Sequence, residues 1–339
     1  MHVGLTYDLR ADYLAEGYGE EATAEFDTID TIVAIERALQ RRGLRVTRVG
    51  RLRALCARLV AGERWDFVFN IAEGLDGIGR EAQVPALLDG YGIPYTFSDP
   101  LVMALSLDKA MAKRVVRDCG LATAPFALVV DAASLSGLAL PYPLFAKPLA
   151  EGTGKGISDA SRILDAAQLA RVVGDLLARF RQPALVETFL PGREFTTGIV
   201  GTGQAARIVA TVEVKLKNAE QALAYGYLNK EHYERFVDYV LVDDAEARAA
   251  GQLALDCYRA LNCRDAGRVD LRSDAAGQPH FLEVNPLAGL NPVKSDLPIL
   301  ARQAGWSYQQ LIDAIVDSCF ARTGLAAGAE MPTQCRKAG

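Results

Sequence analysis

The chain has 339 residues, which is longer than one ordinary hydrophobic core supports and predicts two or three domains. Half of the residues are hydrophobic and 23% are charged, as is typical of a soluble globular protein, and the net charge of -5 argues against nucleic-acid binding, which needs a basic face. We expect a cytoplasmic protein with reduced thiols, because the sequence has no signal peptide, no bilayer-length apolar run and no CxxC pair among its six cysteines.

The first 98 residues alternate between strand and helix patterns. Strands are predicted at 2–7, 44–49 and 66–70, and the segments between them place apolar residues at helical spacing. Such alternation is typical of a parallel sheet with crossover helices, so residues 1–98 are predicted to form an N-terminal α/β domain of Rossmann-like type. Residues 8–24 have no clear period.

A second domain is predicted over residues 99–183. Asp99-Pro100 matches a helix start, and the helix pair that follows ends near Gly120. A strand at 143–147 then leads into the Gly-rich segment 151–156 and a helix over about 165–181. Glycines let backbone N–H groups approach a phosphate, although an ordinary mobile hairpin has the same composition. The segment is neither a Walker A loop nor a dinucleotide fingerprint.

The third predicted domain covers residues 184–324 and is rich in strands. Its predicted strands lie at 184–188, 194–200 and 206–214, with a hairpin at 201–203, and two more strands carry Asp270 and Glu283; its helices lie at about 244–262 and 307–321. The polar stretch at about 215–236 is predicted to be a lid. Residues 325–339 are small, polar and aperiodic, and we expect a disordered tail.

Two strand segments of the third domain place oxygen ligands beside an arginine. Arg268 and Asp270 precede Glu283 and Asn285 by about a dozen residues, and the strand period of two puts Glu283 and Asn285 on one face. Hard oxygen ligands suit a magnesium ion that also touches phosphates, and an arginine suits the charge of a transferring phosphoryl group. A solvated strand face with polar alternation is the alternative interpretation.

Two lysines and two glutamates also match a nucleotide-binding site, although their pattern is less specific than the arginine and oxygen-ligand set just described. Lys109 lies near a helix start and Lys147 on an apolar strand, where each would hold a phosphate as a point charge, although most single lysines are simply solvated. Glu187 and Glu194 flank the linker 188–192, which would present an apolar wall to adenine and a carboxylate to ribose. An ordinary strand-turn-strand unit with exposed acids is the alternative.

Taken in order, these motifs resemble the ATP-grasp superfamily and, within it, D-alanine–D-alanine ligases. The resemblance includes Gly92-Ile93-Pro94-Tyr95-Thr96, the segment 104–109 and the segment 301–305, and it covers about residues 66–321. It implies three α/β domains with ATP between the second and the third. It also implies small amino-acid substrates, ATP and magnesium as cofactors, and a homodimer.

The resemblance implies a role for each motif. Candidates for binding ATP are Lys109, Lys147, Glu151, Gly152, Gly154, Gly156, Glu187, Phe189, Leu190 and Glu194, with the lysines on the phosphates, residues 187–190 at adenine and Glu194 at the ribose. Candidates for two magnesium ions, with manganese as an alternative, are Asp270, Glu283 and Asn285. Candidates for catalysis are Arg268, Lys215 and Thr153, of which Arg268 would stabilise the acyl phosphate and the tetrahedral intermediate.

Positions that contact substrate in the family depart from its pattern. Thr153 and Gly154 replace paired serines, Leu216 replaces a tyrosine after the lid lysine, and the segment 70–74 replaces a histidine-containing loop. The candidate substrate contacts are Glu25, Asp27, Glu73, Gly289, Lys294 and Ser295. The spacing does not choose between Glu25 and Asp27 as the acid for the first substrate's ammonium group.

We therefore predict an ATP-dependent carboxylate–amine ligase that joins amino acids or similar molecules through an acyl phosphate and releases ADP and phosphate. The departures predict substrates other than two D-alanines, with Lys294 near an acceptor carboxylate or Glu73 near a donor amine. A genuine D-alanine–D-alanine ligase, a carboxylate kinase and an inactive ATP-binding module are the alternatives. The inactive module is disfavoured because the metal-ligand positions and Arg268 are intact.

Overall fold

The computed structural model describes residues 1–217 and 237–325. Most of the predicted lid at 215–236 and of the predicted tail at 325–339 lies outside these residues. No helix in the described part of the chain is long and apolar enough to span a membrane. The five cysteines in that part have free thiols, and Cys257, Cys263 and Cys319 are buried.

A three-stranded parallel sheet forms the N-terminal part, as predicted. Its strands are β1 (His2–Tyr7), β2 (Arg45–Gly50) and β3 (Phe67–Ile71), in the order β2-β1-β3. The helices of this region are α1 (Arg10–Ala15), α2 (Ile29–Arg41), α3 (Leu52–Val60) and α4 (Gln83–Gly90). The apolar stripe of α2, including Ile32, Ile35 and Leu39, is fully buried against the sheet, so hydrophobic burial fixes this layer.

The middle part contains a four-stranded antiparallel sheet. Its strands are β4 (Phe126–Val129), β5 (Leu144–Pro148), β6 (Arg162–Ile163) and β7 (Ala184–Thr188), in the order β4-β7-β5-β6. Its helices are α5 (Pro100–Leu107), α6 (Lys109–Asp118) and α7 (Ala166–Phe180). The predicted cap of α5 is present, because the Asp99 carboxylate accepts the backbone N–H of Val102 at 3.0 Å.

The third part contains a five-stranded antiparallel sheet. Its strands are β8 (Glu194–Val200), β9 (Arg207–Leu216), β10 (Val237–Leu241), β11 (Ala266–Ser273) and β12 (Pro279–Asn285), in the order β10-β9-β8-β11-β12. The helices of this part are α8 (Ala245–Ala260), α9 (Asp296–Gln303) and α10 (Tyr308–Thr323). Helix α10 returns to the first sheet, where Leu311, Ile312 and Ile315 join the core that α2 shares with β1 and β3.

Several short elements have no counterpart in the predictions. Helices α1, α4 and α9 and strands β4 and β10 lie in segments where the sequence has no strong period. The connection predicted as a tight hairpin at 201–203 instead includes a 3₁₀ turn at Gly203–Ala205, although β8 and β9 pair antiparallel as expected. Each of these elements depends on tertiary packing, which local patterns do not record.

A backbone contact connects the third sheet to the chain that leads into the second sheet, next to the cleft between them. The backbone N–H of Phe281 on β12 donates to the Ala122 carbonyl at 2.9 Å, and Thr123 forms an isolated parallel bridge with Phe281. This junction places the end of β12 opposite β5 and β7. The cleft between the two sheets therefore receives side chains from both.

Candidate active site

Two connected cavities occupy this cleft and the region where it meets the N-terminal part. The smaller, of about 120 Å³, lies between β5 and β7 on one side and β11 and β12 on the other, and we call it the nucleotide cavity. The larger, of about 500 Å³, reaches towards residues 24–31 and 73–81, and we call it the substrate cavity. Lys109, Glu151 and Glu283 line both cavities, so these residues mark the junction.

The lysine candidates lie at this junction. Lys109 is the first residue of α6, and its ammonium group donates to the Glu151 carbonyl at 2.6 Å and lies 3.6 Å from Glu283 Oε2. Lys147 on β5 lies 3.3 Å from Glu187 Oε1 and 3.9 Å from Glu283 Oε2. Burial lowers the pKa of Lys147, but Glu187 and Glu283 outweigh burial and raise it overall. Both lysines are buried cations, which excludes the solvated-surface interpretation.

The apolar end of the nucleotide cavity is formed by residues of the linker after β7. Phe189 and Leu190 line it, and the Phe189 ring stacks on Phe145 with 6.5 Å between centroids. The Arg272 guanidinium lies 5.2 Å from the Phe189 centroid and 3.1 Å from Glu194 Oε2. An aromatic wall beside a carboxylate is the arrangement that a purine ring and its ribose require.

The Gly-rich segment packs against an acid from the N-terminal part. A Cβ atom on Gly152 would lie only 2.2 Å from Glu25 Oε1, so glycine is required for this carboxylate to reach the loop. Lys155, which is buried, lies 3.4 Å from Glu151 Oε2 and 3.7 Å from Glu25 Oε2. The Thr153 hydroxyl is buried and has no hydrogen-bond partner within the described residues, which leaves it available to a ligand.

Gly154 and Gly156 complete this loop beside the nucleotide cavity. Both adopt positive φ angles, of +74° and +75°, which a glycine accommodates without strain. Gly154 lines the nucleotide cavity together with Lys155. The loop therefore brings backbone as well as side-chain donors to the same cavity.

The three metal-ligand candidates converge where β11 pairs with β12. Asp270 is opposite Glu283 in the ladder and Arg268 is opposite Asn285. The Asn285 amide donates to Asp270 Oδ2 at 3.3 Å. Magnesium in phosphate-transfer sites needs one or two carboxylates in addition to phosphate oxygens, and these three oxygen donors fit that requirement. No group of three or more His, Cys, Asp or Glu side chains within the described residues is arranged to hold a metal by itself.

Arg268 is held between two carboxylates. Its Nε and Nη2 atoms donate to Asp270 at 3.0 and 2.9 Å, and its Nη1 donates to Asp296. The Tyr239 hydroxyl donates to the other oxygen of Asp296 at 2.7 Å. Burial lowers the pKa of Arg268, but Asp270 and Asp296 outweigh burial and raise it, so the guanidinium is a fixed cation on the cavity wall.

Glu25 and Asp27 differ in their surroundings, which distinguishes the two substrate candidates. Glu25 lies 3.1 Å from Arg80 and 3.7 Å from Lys155. Burial raises the pKa of Glu25, but these two cations outweigh burial and leave its pKa lowered. Asp27 forms no ion pair within the described residues, and its pKa is raised to about 7 by burial and by Asp8. The negative charge of Glu25 is thus already paired with two cations, whereas Asp27 is available to bind the ammonium group of a ligand.

Glu73 and Glu81 line the same side of the substrate cavity, and together with Asp27 we call them the acidic wall. Neither glutamate forms an ion pair within the described part of the chain. Burial and the neighbouring carboxylates raise the pKa of Glu73, and burial raises the pKa of Glu81 to about 7. This wall therefore favours a cationic ligand.

The remaining substrate candidates lie on the loop after β12. Gly289, Lys294 and Ser295 all line the substrate cavity, and the Lys294 side chain is exposed at its rim. The Ser295 hydroxyl accepts the backbone N–H of Asn291 at 3.0 Å. The Asn291 amide in turn donates to the Thr31 hydroxyl on α2 at 3.0 Å, so this loop is fastened to the N-terminal part.

Lys215 is the one catalytic candidate that the structure does not bring to the others. It lines neither cavity, its side chain is about half exposed, and its ammonium group lies 3.4 Å from Glu213 Oε2. Glu213 is two residues earlier on β9 and therefore on the same face, where Arg193 also pairs with it at 2.8 Å. The predicted lid that would follow Lys215 lies outside the described residues.

Several residues of the site were not among the sequence candidates. They are Arg80, Glu81, Lys113, Lys155, Tyr239, Arg272 and Asp296. Lys113 follows Lys109 by one helical turn and Arg272 follows Asp270 by the strand period, so periodicity alone was a usable signal for these two. The partners Arg80 and Asp296 come from distant segments and had no such signal.

Comparisons with known proteins agree with this geometry. A family described as D-ala D-ala ligase C-terminus matches residues 115–317. The D-alanine–D-alanine ligase B of Xanthomonas campestris pv. campestris is 35% identical over 289 residues, covering 83% of this chain and 86% of the relative. An ATP-complexed D-alanine–D-alanine ligase from Bacillus anthracis has a TM-score of 0.71 at 20% identity, covering 96% of this chain and 99% of the other. For a D-Ala:D-Ser ligase from Enterococcus faecalis the TM-score is 0.72 at 17% identity, with coverages of 94% and 99%.

The sequence match and the fold lead to the same assignment, and the predicted resemblance is confirmed. The chain belongs to the D-alanine–D-alanine ligase family of ATP-grasp proteins and is an ATP-dependent ligase that forms carbon–nitrogen bonds.

Proposed function

We propose that this ligase activates the carboxylate of one amino acid with ATP, joins it to the amine of a second small molecule, and uses a substrate pair other than two D-alanines. The observation that carries the proposal is the continuous path from the phosphate-binding lysines to the acidic wall. Lys109 lines both cavities, and Arg268 and Asp27 line the substrate cavity. The end of the path with the lysines suits an anion, and the end with the acidic wall suits a cation.

In the first step a carboxylate oxygen of the donor attacks the γ-phosphorus of ATP, and the bond to the ADP oxygen breaks. Lys109, Lys147 and Lys155 would neutralise the phosphate oxygens from three sides of the junction. Asp270, Glu283 and Asn285 would hold magnesium. When bound, the ion supplies positive charge for the phosphate oxygens.

In the second step the uncharged amine nitrogen attacks the acyl carbon and the carbon–oxygen bond of the acyl phosphate breaks. Inorganic phosphate leaves together with the proton that the amine nitrogen loses. Negative charge develops on the former carbonyl oxygen as the tetrahedral intermediate forms. Arg268 is the fixed cation on the cavity wall that would stabilise this charge, because its two carboxylate partners hold its orientation before the reaction. The buried Thr153 hydroxyl would donate to a phosphate oxygen nearby.

Asp27, rather than Glu25, would bind the ammonium group of the donor. Glu25 already has Arg80 and Lys155 as partners, whereas the acidic wall forms no ion pair within the described residues. Glu73 and Glu81 add two carboxyl groups whose charged forms a bound cation would stabilise, more than a single ammonium group needs. This excess supports a donor that carries a second cationic group.

Lys294 would contact the acceptor. Its exposed ammonium group at the cavity rim is placed for a carboxylate that enters from solvent, and Gly289 and Ser295 line the wall beneath it. The homodimeric state is a further proposal that rests on the family resemblance, and the cytoplasmic location is one that rests on the sequence pattern. Sedimentation or light scattering of the purified chain tests the first of them.

Phosphate release with ATP and magnesium, measured across amino acids singly and in pairs, tests the function. Mass spectrometry then identifies the product. We expect release that depends on a pair, an amide product of that pair, and little product from D-alanine alone. Release with a single carboxylate and no amide from any pair would instead indicate a carboxylate kinase. A product formed best from D-alanine alone would establish the genuine D-alanine–D-alanine ligase.

A further inference from the structure

Lys113 is a buried lysine that the mechanism above does not use. It lies one turn after Lys109 on α6, and its side chain is 0% exposed. Its ammonium group donates to the Phe281 carbonyl at 3.0 Å and to the Thr123 hydroxyl at 2.9 Å, at the junction of the second and third sheets. It lines neither cavity. A fully buried ammonium group is expensive to maintain unless it has a function or a charged partner.

That partner is Glu187, which is shared between two lysines. Glu187 Oε2 lies 2.8 Å from Lys113 Nζ, and Glu187 Oε1 lies 3.3 Å from Lys147 Nζ. Burial raises the pKa of Glu187, but Lys113 and Lys147 outweigh burial and lower it, so the carboxylate is charged. Burial lowers the pKa of Lys113, and Glu187 and Glu283 partly offset this effect. With both lysines protonated, the unit of three side chains carries a net charge of one positive unit. Lys147 is the member that lines the nucleotide cavity, where its ammonium group lies 3.9 Å from Glu283 Oε2.

We propose that Lys113 is a positioning residue that neutralises Glu187 so that the charge of Lys147 remains available to the nucleotide phosphates. Without Lys113, Lys147 would be the only cation paired with Glu187 within the described residues. Attraction at low dielectric would then hold Lys147 against Glu187 and reduce its pull on phosphate. This inference rests on the proposed role of Lys147 and not on the identity of the amino-acid substrates.

Binding of MgADP and MgATP, measured by calorimetry without amino acids, tests the inference independently of ligase chemistry. Lys113→Gln removes the charge and keeps a donor for the Phe281 carbonyl. We expect its nucleotide dissociation constant to rise about tenfold, an effect typical of losing one charged partner. Arg114→Met, on the exposed face of the same helix, is the matched control and should bind as the native protein does.

The double variant Lys113→Gln/Glu187→Gln decides between positioning and simple support of the fold. Glu187 also lines the nucleotide cavity, so its own substitution changes binding, and the test is the effect of Lys113→Gln measured in the Glu187→Gln background. With no carboxylate left to neutralise, we expect Lys113→Gln to change the dissociation constant less than about threefold in that background. An equal effect of Lys113→Gln in both backgrounds would overturn the proposal, as would native-like binding by Lys113→Gln alone. Lys113→Met with and without Glu187→Gln repeats the comparison if the glutamine variant does not fold. Loss of amide formation with this binding pattern intact would contradict the proposed function alone.

Discussion

The nucleotide cavity and the acidic wall use charge in opposite ways. In the nucleotide cavity, lysines and carboxylates alternate at 3.3 to 3.9 Å, so each cation is oriented before a ligand arrives. On the acidic wall, Asp27, Glu73 and Glu81 form no ion pair within the described part of the chain, and Arg80 offsets the raised pKa values of Glu73 and Glu81 only in part. Preorganised pairs suit one invariable ligand such as ATP, whereas an uncompensated surface suits whatever cation the substrate provides.

Among the preorganised cations, removing Arg268 is expected to reduce activity the most. Arg268→Met should lower kcat about 1,000-fold, because a fixed cation on the developing oxyanion contributes most in the transition state. Steady-state phosphate release with saturating ATP and substrates measures the effect. Arg248→Met, which removes an exposed arginine paired with Asp243, is the control and should leave kcat unchanged. A decrease of less than fivefold in Arg268→Met would contradict the assigned role.

The next largest effect concerns the metal-ligand set. Glu283→Gln should reduce kcat about 100-fold and shift half-saturation by Mg²⁺ upwards about tenfold, because it removes one of two carboxylates from the oxygen donors. Removing magnesium with a chelator should abolish phosphate release by the native protein. Glu63→Gln, at an exposed pair with Arg58, serves as the control. An unchanged magnesium titration would show that Glu283 does not hold the ion.

The nucleotide end was far more predictable from sequence than the acidic wall. Its side chains lie on strands and at a helix start, where periods of two and capping residues place them on one face; Asp270 opposite Glu283 is the clearest case. The parallel sheet of the N-terminal part followed from the same periodicity, whereas the three-domain ATP-grasp fold was predicted from the family resemblance. Sequence distance was no obstacle here, because two antiparallel strands bring their residues together whenever they pair.

The acidic wall was only partly predictable because its residues lie on loops. Arg80 neutralises Glu25 across 55 positions of sequence, and no local pattern marks that partner. The choice between Glu25 and Asp27 therefore needed the three-dimensional structure. The role of Lys215 stays a prediction, because the family resemblance places it on a lid that lies mostly outside the described residues, and its ammonium group here lies 3.4 Å from Glu213 Oε2.

A smaller effect than those of Arg268 and Glu283 is expected at the acidic wall itself. Asp27→Asn should raise KM for the donor about thirtyfold, equivalent to about 2 kcal/mol, with little change in KM for ATP. Asp30→Asn, three residues along the chain and exposed, is the control. Equal increases in KM for ATP and donor would place Asp27 in general support of the cleft.

The pH dependence of kcat/KM for the donor tests the contrast between the nucleotide cavity and the acidic wall further. With a pKa of about 7, Asp27 is mostly protonated and neutral at pH 6 and mostly charged at pH 8, so its attraction for an ammonium group grows as pH rises. We expect kcat/KM for the donor to rise over this interval and the rise to be weaker in Asp27→Asn. Glu73 and Glu81 titrate in the same direction, so part of the slope should remain. A profile that falls with pH would exclude this assignment.

The smallest expected effect is at the rim of the substrate cavity. Lys294→Ala should raise KM for the acceptor two- to fivefold, because an exposed ammonium–carboxylate pair contributes at most about 1 kcal/mol in water. The increase should be larger at low ionic strength, since salt screens exposed charges but not the buried pairs of the nucleotide cavity. Arg45→Ala removes an exposed cation on β2, outside both cavities, as the control. A salt-independent effect on the acceptor would mean that Lys294 acts through the packing of its loop instead of through its charge.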